Sequence, residues 1–351
     1  MKMRYNVFRG AIAVMLTGLL ATSAFAAGNY KFEKVATIKL EGPAGHGDLL
    51  SLDPTTHRLF ISMHDHGVSV VDTQTNKFIK YIPDVPNPNG IAVDGHYAFV
   101  AAADGAGAGK VNAIVVIDTQ TLKEVTRVNT KGTSPDWLAI NQATHTLYVA
   151  SDDSNWDEIY DVSNPAKPVY KAGINLYPSK PESGPDVGTI VPAANTIYQA
   201  DDAYVLKINT TTGEVENHFD TSVKIGKHGG TKASYFDAKN KRLWFATTNF
   251  PNPGVFVLTP DLRIIKTLPE SGGVDDAQAD PELGLLYLYS TSSKGFDVYD
   301  TNSMTHLTHV STGEGNTHTG MVDPATHLVY AFNGGGKGAG PALLVFKPVK
   351  E

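Results

Sequence analysis

Seven positions, each at the same place in a repeated unit, carry the side chains that could do chemistry: Asp48, Asn89, Asp136, Asp186, Lys232, Asp275 and His318. The second strand of every unit carries an aromatic or large apolar pair, and counting back from that mark to the residue entering the first strand gives these seven. All are polar and four are carboxylates. Carboxylates gathered around one point repel each other unless positive charge is supplied. Lys232 supplies one charge, and a bound cation or cationic group is a source of more. Asp and Asn oxygens suit Ca2+, whereas added histidines admit Zn2+, Mn2+ or Cu2+. The candidate metal ligands are His46, Asp48, Asp136, Asp186, Asp275 and His318, with His228 and Asp276 nearby. The plainer alternative is that these groups only solvate a wet rim.

Other motifs weigh less. His64-Asp65-His66 resembles a metal-binding triplet, but it also reads as an exposed loop. GGGKG (334–338) lacks the strand–loop–helix setting and the Gly-Lys-Ser/Thr ending of a phosphate loop, so it reads as a connection between units. Trp137 and Trp156 are candidates for capping a ligand, although Trp137 reads better as packing between units. No serine elbow or Ser-His-Asp spacing stands out. With no cysteine, thiolate metal sites, cysteine nucleophiles and disulfides are all excluded.

The elements that must position the seven residues are strands. The turn and second strand of the unit recur as DPTTHRLFIS (53–62), DGHYAFVA (94–101), NQATHTLYVA (141–150), VPAANTIYQA (191–200), DAKNKRLWFA (237–246), DPELGLLYLY (280–289) and DPATHLVYAF (323–332). A third strand, a tight turn and a fourth strand follow, as in VSVVDTQTNKFI (68–79) and IVVIDTQTLKEV (114–125). Apolar and polar residues alternate at period two, and strands end on Asp, Asn, Thr, Gly or Pro. Units start near Leu49, Ile91, Leu138, Val187, Ala233, Ala277 and Met321. Four short strands in about 40–45 residues is the length of one propeller blade. The expected fold is all-β, a seven-bladed β-propeller of four-stranded antiparallel blades.

The seventh unit lacks a fourth strand, because PALLVFKPVKE (341–351) supplies only the third. YKFEKVATIKLEG (30–42) is an orphan strand near the other end. The N-terminal strand is therefore expected to close the last blade and remove an open sheet edge. Turns between first and second strands, and between third and fourth, are short and uniform. The second-to-third loops and the blade connections, such as SMHDHG (62–67) and SDDSNWD (151–157), are irregular. Function concentrates where loops vary on a rigid frame, so the irregular face is the candidate, with the seven residues ringing its channel mouth.

Ahead of the repeats, Lys2, Arg4 and Arg9 precede an apolar run, 11–20, and then Ala24-Phe25-Ala26. This is the pattern of a signal peptide cleaved near Ala26. It leaves residues 27–351 as one exported domain with no membrane span. The net charge of −7 becomes −10 without the three basic residues of that segment. Such a balance argues against nucleic acid and anionic membranes as partners.

The unit "LYVA … VVDTQT … V" resembles the YVTN-type repeat of YncE-like bacterial propellers, most closely in LYVASDD (147–153), LFISMHD (59–65) and FVAAADG (99–105). The resemblance covers essentially the whole mature chain. It implies a periplasmic platform that binds a small molecule or a periplasmic protein. Propellers also host enzymes. The competing expectation is thus a metal-dependent, lactonase-like hydrolase or a lyase at the axial Asp/His site. Single-stranded nucleic-acid binding, known among similar propellers, is the third.

Overall fold

The computed structural model describes residues 29–64, 66–104, 109–176, 184–221, 230–247, 254–269, 272–336 and 338–351. The expected signal segment, Asp65, His228, Lys337 and loop residues 248–253 lie outside the described residues. Among the described residues no helix is long and apolar enough to cross a membrane.

The strands form seven four-stranded antiparallel sheets, arranged as the blades of a propeller. The inner strands run Leu50–Asp53, Pro88–Asp94, Pro135–Asn141, Pro185–Val191, Thr231–Asp237, Val274–Asp280 and Gly320–Asp323, one for each of blades 1 to 7. Each begins within a few residues of the start read from the repeats. The short turns hold because an Asp or Asn ends the strand before them. Asp53 Oδ1 accepts the backbone N–H of Thr55 at 2.9 Å and of Thr56 at 3.3 Å. Asp118 does the same for Gln120 and Thr121, and Asp300 for Ser303. A residue with positive φ then turns the chain back, as at His57 (54°), Leu122 (54°) and Met304 (54°). The side-chain oxygen thus satisfies donors that the turn removes from the ladder.

Period-two alternation gives each blade two apolar faces, and neighbouring blades bury them against each other. Phe60, Val68 and Val70 of blade 1 pack on Ile91, Val100 and Val115 of blade 2. Tyr287, Tyr289 and Phe296 of blade 6 pack on Val329, Ala331 and Phe346 of blade 7. The remaining interfaces are filled likewise, so the core is a circle of inter-blade layers.

The last blade closes as expected. Tyr30–Lys39 pairs antiparallel with Ala342–Lys350, from Tyr30 opposite Lys350 to Lys39 opposite Ala342, with one irregularity between Lys34 and Ala36. Blade 7 thus takes its outermost strand from one end of the chain and its three others from the opposite end. Ile38 and Leu40 also enter the apolar layer shared by blades 7 and 1.

Deleting residues 27–42 removes this ladder and part of that layer together. The truncated protein is expected to lose cooperative unfolding or to aggregate. Cooperative melting within a few degrees of the full mature chain would show that the closing strand is dispensable.

Candidate functional site

The inner strands are not regular where they enter the channel. In blades 2 to 6 the register against the second strand slips between Pro88 and Ile91, Pro135 and Leu138, Pro185 and Gly188, Thr231 and Ser234, and Val274 and Asp276. Each slip is an extra residue on the inner strand, a β-bulge, which bends the strand and re-aims side chains. Asn89, Asp136, Asp186, Lys232 and Asp275 all fall in these bulges. Asp48 and His318 each lie two residues before the inner strand of their blade. All seven sequence-predicted positions line one cavity of about 190 Å³ on the channel axis.

Local contacts fix each of them. The bulge frees a backbone N–H, and the ring carboxylate folds onto it: Val187 N donates to Asp186 Oδ1 at 2.7 Å. Ahead of the blade 1 strand, Leu49 N donates to Asp48 Oδ1 at 2.9 Å. Asn89 Nδ2 donates to the Pro135 carbonyl at 3.2 Å, tying blade 2 to blade 3. Gly90 makes this possible, because a Cβ there would strike the Asp136 carbonyl oxygen. Thr319 Oγ1 donates to the Asp48 carbonyl at 2.6 Å and ties blade 7 to blade 1.

The charges divide into two groups. On one side, Lys232 forms an ion pair with Asp186 from the neighbouring blade. Asp186 chiefly, and Asp136 and Asp275 further off, hold the lysine above its ordinary pKa against the cost of burial. On the other side sit three imidazoles. His64 Nδ1 lies 2.9 Å from Asn89 Oδ1 and 3.4 Å from Asp48 Oδ2. His318 Nδ1 lies 3.2 Å from Asp275 Oδ2 and 3.2 Å from His46 Nε2. Burial lowers the His318 pKa.

Lys232 does not balance the carboxylates. Burial, then the charges of Asp186 and Asp48, push Asp136 well above the usual carboxylate range. Burial raises Asp275 to about 7, with Lys232 opposing and Asp186 and Asp48 adding to the rise. Asp152 is raised by burial and by Asp186. Asp48 goes the other way: burial works against it, but the His64 hydrogen bond and the nearby His318 and His64 hold it below its ordinary value.

Three lining residues escaped the sequence reading as members of the ring: His64, Ser134 and Asp152. His64 and Asp152 stand on loops after second strands, where no repeat register applies. Of the two described residues of the triplet at 64–66, His64 reaches the cavity and His66 is exposed at the start of a strand. Trp137 is buried in the layer between blades 3 and 4, as expected, and also lines the channel beneath the mouth. Trp156 is not among the residues lining the mouth cavity. It packs within its own blade over Gly173, where a Cβ would collide with the indole.

No protein-family model matches the chain, and no curated protein matches it. The site has to be read from its own chemistry. Among the described residues no three His, Asp or Glu side chains converge with the spacing a metal ion requires. The six metal candidates do meet at the mouth, but their contacts there are hydrogen bonds and ion pairs. Asp186, for one, is taken by Lys232. The arrangement suits a group that brings positive charge and donates several hydrogen bonds.

Asp275, like Asp276 deeper in the channel, has a folded-state pKa of about 7. An unfolded carboxylate titrates near 4. The fold therefore holds these protons more tightly, and stability falls as pH rises from about 4 through about 7. Asp275→Asn removes one such group. The variant is expected to match the wild type near pH 4.5 and to melt higher at pH 8 by about 2 °C. Melting curves at the two pH values check this; a variant equally destabilised at both would contradict it.

Proposed function

We propose that the chain is an exported, periplasmic binding platform of the YncE-like, YVTN-repeat kind, whose axial mouth takes the cationic group of a small molecule or of a periplasmic protein. The observation that carries the reading is the convergence of Asp48, Asp136, Asp152, Asp186 and Asp275 on one small cavity whose one lysine is Lys232, paired with Asp186. Five carboxylates from separate segments cannot all ionise there at ordinary cost. A primary ammonium or guanidinium lets them do so and supplies donors that match their oxygens. The cavity is smaller than a typical pocket for a whole drug-sized ligand. It suits one charged end of a ligand whose remainder rests on the irregular loops. Asn89, Ser134 and His64 offer neutral polar contacts at the rim, and Leu49 and Val187 give the site apolar walls. The repeat resemblance and the N-terminal signal pattern support the export.

One observation favours a second reading, an acid–base enzyme at the same mouth. Asp48 is held below the usual carboxylate range while Asp136 is pushed well above it. Two carboxylates pushed in opposite directions in one cavity make a base and an acid. A hydrolase or lyase would use them so, Asp48 accepting a proton and Asp136 delivering one to the leaving group.

Titration calorimetry with spermidine, agmatine and arginine, and with succinate as an anionic control, tests the binding reading. At least one cation is expected to bind at pH 7.5, with affinity falling at least tenfold in Asp136→Asn/Asp275→Asn. Binding of succinate alone would contradict the reading, as would cation binding that the double variant leaves unchanged. Turnover of chromogenic esters or lactones, lost in Asp48→Asn, would favour the enzyme.

A further inference from the structure

A second group of buried acids lies beside the mouth, in the layer between blades 3 and 4. Asp157 is on the third strand of blade 3, opposite Ala150 and Ile174. Both of those belong to the apolar cluster that packs blade 3 on blade 4. Asp157 therefore points into that layer. Asp201 and Gln199 share a face of the second strand of blade 4 with Ile197, which belongs to the same cluster. The layer thus receives Asp157 from one blade, and Asp201 and Gln199 from the other.

Gln199 Nε2 donates to the Asp186 carbonyl, but acceptor oxygens of all three residues are left over. Asp157 is 1% exposed and Asp201 2%. Neither carboxylate oxygen of Asp157 has a hydrogen-bond partner, and Asp201 Oδ1 and Gln199 Oε1 have none either. The neighbouring Glu158 shows what this chain does with a structural buried acid. It is 0% exposed and points to the opposite face. There it accepts the N–H groups of Lys131 and Gly132 and the Tyr160 hydroxyl. On one strand, then, one acid is fully partnered and the next has no donor.

The unpartnered groups are all acceptors. A buried carboxylate with no donor is costly, and proteins relieve the cost with a proton, a counter-charge or a metal. Burial, then the charge of Asp201, opposes ionisation of Asp157. No hydrogen bond joins the two carboxylates, so a shared proton does not link them. We propose that blades 3 and 4 are clamped by a divalent cation of the Ca2+ class, held by both oxygens of Asp157 and by Asp201 Oδ1 across the layer. Two carboxylates match its charge, and oxygen-only ligation suits a hard ion that completes its shell with water or amide oxygen. Gln199 Oε1, on the face of Asp201, offers such an amide oxygen. The role is structural, and Gln199 Nε2, which donates to the Asp186 carbonyl, joins the site to the rim of the axial mouth.

The test uses the full mature protein with Ca2+ and a chelator. In the wild type, 1 mM Ca2+ is expected to raise the melting temperature by about 3 °C over the chelated sample. About one calcium per chain should remain after dialysis into dilute Ca2+. Asp157→Asn and Asp201→Asn should each lose the response and the ion, whereas Asp136→Asn in the mouth keeps both. Should Asp157→Asn fail to fold, Asp201→Asn and the calcium content of the wild type still decide. A wild type that retains no calcium and melts alike with and without it would overturn the proposal. So would a Ca2+ response that survives in Asp157→Asn or Asp201→Asn but disappears in Asp136→Asn.

Discussion

A ring of blades has no natural end, and the pairing of Tyr30–Lys39 with Ala342–Lys350 supplies one. Each blade is a twisted antiparallel sheet with an apolar layer on both faces, stable only when a neighbour covers each. The closing strand completes blade 7, and Ile38 and Leu40 from the same segment enter its layer with blade 1. That one antiparallel ladder fixes the circumference, and the circumference fixes how near the seven inner strands come to the axis. The distances at the mouth follow from it. Asp48 and His318 flank the closing interface, and the Thr319 hydroxyl on the Asp48 carbonyl crosses it.

Within that frame, charge at the axis is set by small backbone irregularities. A regular inner strand would alternate its side chains between the two neighbouring blades. The bulges in blades 2 to 6 break the alternation where the strand enters the channel and turn the extra residue toward the axis. The result is a mouth whose carboxylates crowd each other, above a deeper channel lined by both apolar side chains, Leu49, Ile91, Trp137 and Val187, and polar ones, Ser234, Asp276 and Gln278. Lys232 settles Asp186, and histidines settle Asp48, leaving Asp136 and Asp275 as the groups that burial raises, Asp136 well above the usual carboxylate range and Asp275 to about 7.

The fold was legible because it is repetitive. Seven copies of one turn-and-strand signature, each carrying its own Asp or Asn turn, leave little freedom in where strands begin. The orphan strand at 30–42 matched the one vacancy in the pattern. The same repetition made the seven ring positions readable. Asp136 and Asp275 are far apart in sequence but occupy the same place in the unit. His64 and Asp152 were missed as ring members because they stand on loops of unequal length, for which self-alignment gives no register. The bulges were not foreseen either. Their trace is the proline just before Asn89, Asp136 and Asp186, a residue suited to the first position of a strand because it has no N–H to pair. Asp157 and Asp201 were hidden for the opposite reason: polar residues near strand ends read as solvated, and only the packing of blade 3 on blade 4 buries them.

A mouth that binds a cation has to be electrostatically incomplete without a positively charged guest. Carbon-detected NMR titration of the aspartate carboxyl groups in the ligand-free mature protein tests this most directly, because it needs no knowledge of the ligand. Asp136 and Asp275 are expected to titrate well above the ordinary carboxylate range, Asp275 with a midpoint near 7, while Asp48 titrates below its ordinary value. If all three titrate together near 4, the carboxylates are simply hydrated, and the case for a cation-binding mouth falls.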